Sequence, residues 1–172
     1  MRKKFYLPAH EITPLTMAIL PQHDENGYAG SLIMEEEEEF IVKYSPSKMI
    51  DDACKFFGAS LKGRQIGTRE ISNMTHKVPI SIDPSSGMYF FPTLSPVNPM
   101  CAWIAHTHIG KIMEAADQCT QIIFKNGQSI IVDVSFGSMM NQVNRTAQFR
   151  YMLDNRIKHL HSHNDRDPKP FE

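Results

Sequence analysis

The sequence predicts an α+β fold: a single domain on an antiparallel-rich β-sheet, with one short helix and one long C-terminal helix. Three observations carry this expectation. Strand-sized apolar runs separated by Pro, Gly, Asp and Ser recur from about residue 16 to 134. Asn126-Gly127 lies between two such runs and is the strongest short hairpin signal in the chain. Beyond it the apolar period becomes helical and stays so to about residue 160.

Taken in order, 16–20 reads as a strand, and 31–34 and 40–44 as two more flanking five consecutive glutamates at 35–39. Those glutamates suit a hairpin turn or a solvated strand edge that resists pairing with another sheet. Ser45-Pro46-Ser47 is helix-start chemistry, with a capping hydroxyl before a proline at the first helical position. Ile50, Cys54 and Phe57 follow at helical spacing, and Gly58 is a good stop. The glycine-punctuated basic stretch 62–75 reads as a loop, or a loop running into a strand. Strands are expected at 79–83 and 88–91 around the turn Asp83-Pro84-Ser85-Ser86-Gly87, at 101–109, and at 121–125 and 129–134 around Asn126-Gly127. The long helix is expected over about 138–160. Met139, Val143, Ala147, Leu153 and Ile157 form its core face, and Arg145, Phe149, Met152 and Arg156 a second stripe facing outward. Residues 1–160 are then one domain and 161–172 a polar, disordered tail.

Composition bounds the function. The chain has 172 residues, 41% hydrophobic and 22% charged, ordinary for one globular domain. No apolar run approaches a bilayer span, and the basic N-terminus lacks the apolar stretch of a signal peptide. Cys54, Cys101 and Cys119 are odd in number and form no CxxC pair, which fits reduced thiols in a cytoplasmic protein. The net charge of −1 conceals an asymmetry: residues 1–43 carry four basic and eight acidic side chains, residues 44–159 twelve and eight. Lys55, Lys62, Arg64, Arg69 and Lys77 fall within one short segment against Glu70 alone. On charge alone such a cluster fits a solvated surface better than a patch that meets a phosphate backbone, although a local patch and not the whole-chain charge is what such a backbone meets.

Enzyme chemistry finds little support. His106 and His108 stand two apart on an expected strand, so both face one way, with Cys101 and His76 as conceivable further metal ligands. No carboxylate has a ligand spacing to them, and His159, His161 and His163 fall where a helix frays. Gly63 and Gly67 lack the Lys-Ser/Thr ending of a phosphate loop, and there is no Gly-x-Ser-x-Gly. No catalytic residue, metal or cofactor is assigned. Arg and Lys beside glycines favour close approach to DNA, and long guanidinium side chains suit a narrow A/T-rich minor groove.

The residues also carry a resemblance. Asp52-Ala53-Cys54-Lys55-Phe56-Phe57-Gly58-Ala59-Ser60 with Gly63-Arg64-Gln65-Ile66-Gly67-Thr68 forms one block. Thr75-His76-Lys77-Val78-Pro79-Ile80-Ser81-Ile82-Asp83-Pro84, Phe90-Phe91-Pro92-Thr93-Leu94-Ser95 and Pro99-Met100-Cys101-Ala102-Trp103-Ile104-Ala105-His106 form a second, stronger one. Asn126-Gly127 and Asn141-Gln142-Val143-Asn144-Arg145-Thr146-Ala147 extend it into the last helix. From about residue 15 to 157 the chain resembles the ComK family of competence transcription factors.

That resemblance implies a cytoplasmic, nucleoid-associated activator of DNA-uptake genes. It would bind paired A/T-rich boxes as a homo-oligomer, largely through the minor groove, and work with RNA polymerase. The resemblance further implies an adaptor that delivers the protein to a Clp-type protease. The family pattern continues past residue 172 with hydrophobic residues to which adaptor recognition is tied, and the glutamate run is heavier than that pattern. Lys55, Lys62, Arg64, Arg69 and Lys77 are the candidate DNA contacts; Arg145, Phe149, Met152 and Arg156 are the candidate oligomer interface. Two other readings stay open: a metal-dependent hydrolase using the His/Cys set, and a protein-interaction module that has lost DNA binding.

Overall fold

The computed structural model describes residues 3–164. Among the described residues four strands, two α-helices, six strands and a last α-helix follow one another, an α+β order. The strands are β1 (Lys4–Tyr6), β2 (Thr16–His23), β3 (Ala29–Glu35), β4 (Glu39–Val42), β5 (Ile80–Asp83), β6 (Met88–Pro92), β7 (Trp103–Ala105), β8 (Ile109–Glu114), β9 (Thr120–Phe124) and β10 (Ser129–Val132). The helices are α1 (Pro46–Phe56), α2 (Leu61–Ser72) and α3 (Phe136–Asn164). Seven strands form one sheet in the order β1-β4-β3-β2-β7-β6-β5, and β10-β9-β8 form a second. All pairings are antiparallel except β1 with β4.

Period-two alternation sends the large sheet's side chains into two cores. Ile19, Ile33, Ile80, Ile82, Phe90 and Trp103 enter one with Ile50 and Cys54 of α1. Met17, Met34, Phe91 and Ile104 enter the other with Ile122, Phe124 and Val132 of the small sheet and Met139 of α3. The large sheet is therefore buried on both faces, with the α1–α2 pair on one side and the small sheet with α3 on the other. Burying a side chain such as Phe90 or Ile104 contributes about 1.5–3 kcal/mol before entropy is charged against it. No described helix is long and apolar enough to cross a membrane.

Local signals place several elements as expected. The Ser45 hydroxyl accepts from the Lys48 amide at 3.2 Å, and Pro46 opens α1. The chain turns at Gly58 with φ +78°, a conformation that costs a β-carbon-bearing residue about 1 kcal/mol or more. Asn126-Gly127 caps the β9–β10 hairpin, with Gly127 at φ +90°. The glutamates form the β3–β4 turn, and the Glu36 carbonyl accepts from Asn126 and Gln128 across the two sheets. β4 is not an edge, because β1 pairs with it and Lys4 reaches Glu39 at 3.9 Å.

Three expectations are corrected. Residues 62–75 are mostly helix rather than loop or strand: Ser60 caps Gly63 at 3.0 Å and Asn73 ends α2 in the left-handed region. The expected strand over 101–109 is broken, because the chain leaves the large sheet after Ala105 and enters the small one at Ile109 through a 3-10 turn, His106–His108. On α3 the buried side chains are Met139, Gln142, Thr146 and Phe149, whereas Ala147 is exposed and Val143, Leu153 and Ile157 are half-buried. The helix also runs on through 161–164, and the rest of the expected tail lies outside the described residues.

Candidate nucleic-acid interface

The five basic candidates fall on α1, α2 and the loop after α2, and the structure divides them. Asp51 takes the Leu61 amide at 2.9 Å and the Lys55 ammonium at 2.9 Å. The Leu61 bond locks the start of α2 to α1 while the Lys55 pair lies within α1, and the Leu61 amide, followed by Lys55, holds the Asp51 carboxyl below its usual range. Lys55 is thus exposed but already paired. Arg64 is half-buried: its Nη2 donates to the Ile82 carbonyl at 3.3 Å, and its buried Nε has no acceptor. Thr68 completes the dock, donating to the Pro79 carbonyl at 2.7 Å.

The opposite face of α2 is open. Lys62, Ile66 and Arg69 are exposed at i, i+4 and i+7, with Asn73 continuing the line at i+11. Ile66 is 54% exposed. Arg69 Nε makes only a long bond, 3.4 Å, to the Thr75 carbonyl. Lys77, at φ +45° and half-buried, lies in the loop that follows this helix. Sequence reasoning found these cations and missed the helix that arrays them, although the Ser60 cap and the Asn73 stop were legible signals.

The expected outer stripe of α3 faces the chain's own body. Arg145 donates to the Gln142 side chain and, at 2.6 Å, to the His76 carbonyl. Gln142 in turn donates to the carbonyls of Lys77 and Pro92 at 2.9 and 2.8 Å. Burial lowers the pKa of the Arg145 guanidinium from its usual value. Phe149 is 2% exposed and meets Tyr89 edge-on at 5.9 Å. Met152 is half-buried and only Arg156 is open to solvent, so the expectation of an outward stripe is corrected. The 3.6 period of the helix is as expected; which of its faces meets the sheet is not.

The histidines do not converge. The His106 ring donates from Nε2 to the Val143 carbonyl at 3.2 Å, leaving Nδ1 to accept from Arg150 Nη1 at 3.0 Å. His108 Nε2 donates to the Pro14 carbonyl at 2.6 Å, with Nδ1 3.6 Å from Glu36. Each ring is thus taken by a different element, and no group of three or more His, Cys, Asp or Glu suited to a metal occurs among the described residues. Cys54 and Cys101 are buried, and burial pushes the Cys54 thiol up to about 11, far from a reactive thiolate.

Burial and then the Arg150 charge hold His106 down to about 4, against 6.5 for a free imidazole. Between these values the unfolded chain binds the extra proton, so stability falls as pH drops below about 6.5 and levels off below about 4. The expected loss from pH 7 to 5 is about 1–2 kcal/mol. Urea denaturation at both pH values checks it, with His106→Gln as the comparison: the variant should lose correspondingly less. Equal losses in both proteins would mean that the ring carries none of the pH dependence.

Residues 8–158 match the ComK protein family. The chain is 38% identical over 153 residues to the competence transcription factor of Bacillus subtilis (strain 168), covering 89% of this chain and 79% of that relative. No solved structure matches. The match spans both cores, the α1–α2 pair and nearly all of α3, and on that ground the chain belongs to the ComK protein family.

Proposed function

We propose that this protein is a transcription activator of competence genes that binds A/T-rich duplex DNA through the exposed face of α2. The relative's description as a competence transcription factor supports the regulatory role. The observation that carries the DNA contact is the Lys62–Ile66–Arg69 stripe, whose cations form no ion pair with a carboxylate among the described residues. An α-helix is about 10–12 Å across and the minor groove about 6 Å wide, so α2 itself stays outside. Lys62 and Arg69 reach phosphates or the groove from there, and Lys77, in the loop after α2, is a further candidate contact. A narrow A/T-rich groove has the deeper negative potential and draws such side chains most strongly.

Arg64 supports this face from within through the Ile82 carbonyl, and Lys55 stands exposed on α1, paired with Asp51 of the same helix. Self-association on paired boxes calls for a symmetric contact. The C-terminal half of α3, with Met152 and Arg156, is its proposed place, because 154–162 is exposed apart from Ile157. RNA polymerase and a Clp-type adaptor belong to the same reading as partners of the DNA-bound and free protein.

The experiment is a titration of A/T-rich and G/C-rich duplexes between about 50 and 200 mM salt. The A/T-rich duplex should bind more tightly, and its affinity should fall steeply with salt as phosphate contacts release counterions. Equal, weak binding of both duplexes at low salt would end the activator reading.

A further inference from the structure

A groove of about 430 Å³ opens between β8, at the edge of the small sheet, and α3. Lys111, Lys125 and Arg150 line it, and no acidic side chain does. None of the three is in an ion pair among the described residues. Asp154, one turn along α3 from Arg150, is paired with Lys158 at 2.7 Å. None of the groove's lining comes from α2.

Arg150 is held in place before any ligand arrives. Its Nη1 donates to His106 Nδ1 and to Thr107 Oγ1, both at 3.0 Å, and its guanidinium carbon lies 4.6 Å from the centroid of the Tyr89 ring. Thr107 is fixed in turn by donating to the Gly87 carbonyl at 2.7 Å. Both Arg150 bonds use one nitrogen, which leaves the rest of the five-donor fork for another acceptor. Lys125 is tied across the strands through its amide, 2.9 Å from the His108 carbonyl. Lys125 and Arg150 line the groove together with the His106 ring.

Three cations without a counter-charge repel one another, and a multivalent oxyanion relieves that repulsion while satisfying a planar donor fork. We propose that the groove between β8 and α3 is a phosphate-binding site in which Lys111, Lys125 and Arg150 are the ligands. Two sources offer the same chemistry: a backbone phosphate of bound DNA and a free phosphoester such as a nucleotide. The apolar floor from Ile112 and Met140 accommodates the less polar part of either.

The test uses the full chain and the double variant Lys111→Ala/Lys125→Ala, whose two positions are exposed. The ring resonances of His106, identified with His106→Gln, report on the groove by NMR during titration with ATP, with inorganic phosphate and with chloride at matched ionic strength. Duplex binding is measured in parallel as a function of salt. If DNA supplies the phosphate, the double variant lowers the salt slope by about 2 and weakens binding on the order of tenfold. If a free phosphoester supplies it, duplex binding is unchanged, while ATP or phosphate moves the His106 resonances of wild type and not those of the variant. Unchanged duplex binding together with silent His106 resonances in both titrations overturns the proposal. Should wild type bind no duplex at all, the activator reading fails separately, and the ATP and phosphate titrations still decide the groove.

Discussion

Replacing Lys62 and Arg69 together with alanine is expected to weaken binding to A/T-rich duplex by about 2–3 kcal/mol while leaving the melting transition near that of wild type. Both side chains are exposed, neither forms an ion pair among the described residues, and they lie seven residues apart on one face of α2. Removing one phosphate-binding cation should lower the salt slope by about 1, and any loss of A/T preference identifies the residue that enters the groove. Arg64→Ala should behave differently. Its guanidinium bridges α2 to the Ile82 carbonyl, so the expected effect is about 1–2 kcal/mol of stability with a nearly unchanged salt slope. Duplex titration at two salt concentrations, alongside urea denaturation, separates the two outcomes. A double variant that binds as wild type does would move the interface off α2.

Phe149→Ala is expected to destabilise the protein by about 3–5 kcal/mol, the usual cost of emptying a buried aromatic site. Phe149→Glu should be worse, because it also buries a carboxylate where Tyr89 presents the edge-to-face contact of a ring. The loss matters beyond α3. Phe149 lies one turn from Arg145 and Thr146, and Arg145 and Gln142 together hold the 76–77 loop that follows α2. Thermal denaturation with sedimentation checks this: the expected result is a lower melting temperature at unchanged mass for the folded fraction. A Phe149→Glu protein that melts as wild type does but sediments as a smaller species would instead make Phe149 part of a subunit contact.

Much of the architecture was legible from local chemistry. Ser45-Pro46 started α1, Asn126-Gly127 turned the last hairpin, and the short apolar runs became strands, because capping, positive-φ turns and period-two burial act within a few residues. α2 was less legible. Gly63, Gly67 and Thr68 are weak helix formers, and its docking relies on Thr68, Arg64 and the Leu61 amide bond to Asp51, with Leu61 packing on the core, rather than on an apolar stripe. The short strand β1 carried no signal of its own, since it exists by pairing with β4.

The sequence by itself determined the α+β class, the family and the set of cations from which the proposed DNA-binding surface is drawn. Tertiary structure decided which of those cations remain available. Arg64 was indistinguishable from Lys62 and Arg69 along the chain, and only the docking of α2 on β5 engaged Arg64 within the protein and left Lys62 and Arg69 in solvent, whereas Lys55 pairs with Asp51 one turn back on its own helix. The same holds for α3, where Val143, Ala147, Leu153 and Ile157 make the more apolar stripe but Gln142, Thr146 and Phe149 are the more deeply buried side chains. Tyr89 on β6 and the carbonyls of His76, Lys77 and Pro92 are far away in sequence, and they select the face bearing Phe149, Gln142 and Arg145. A helix records its own periodicity in its residues, but the partner that makes one face the buried one is supplied by the rest of the fold.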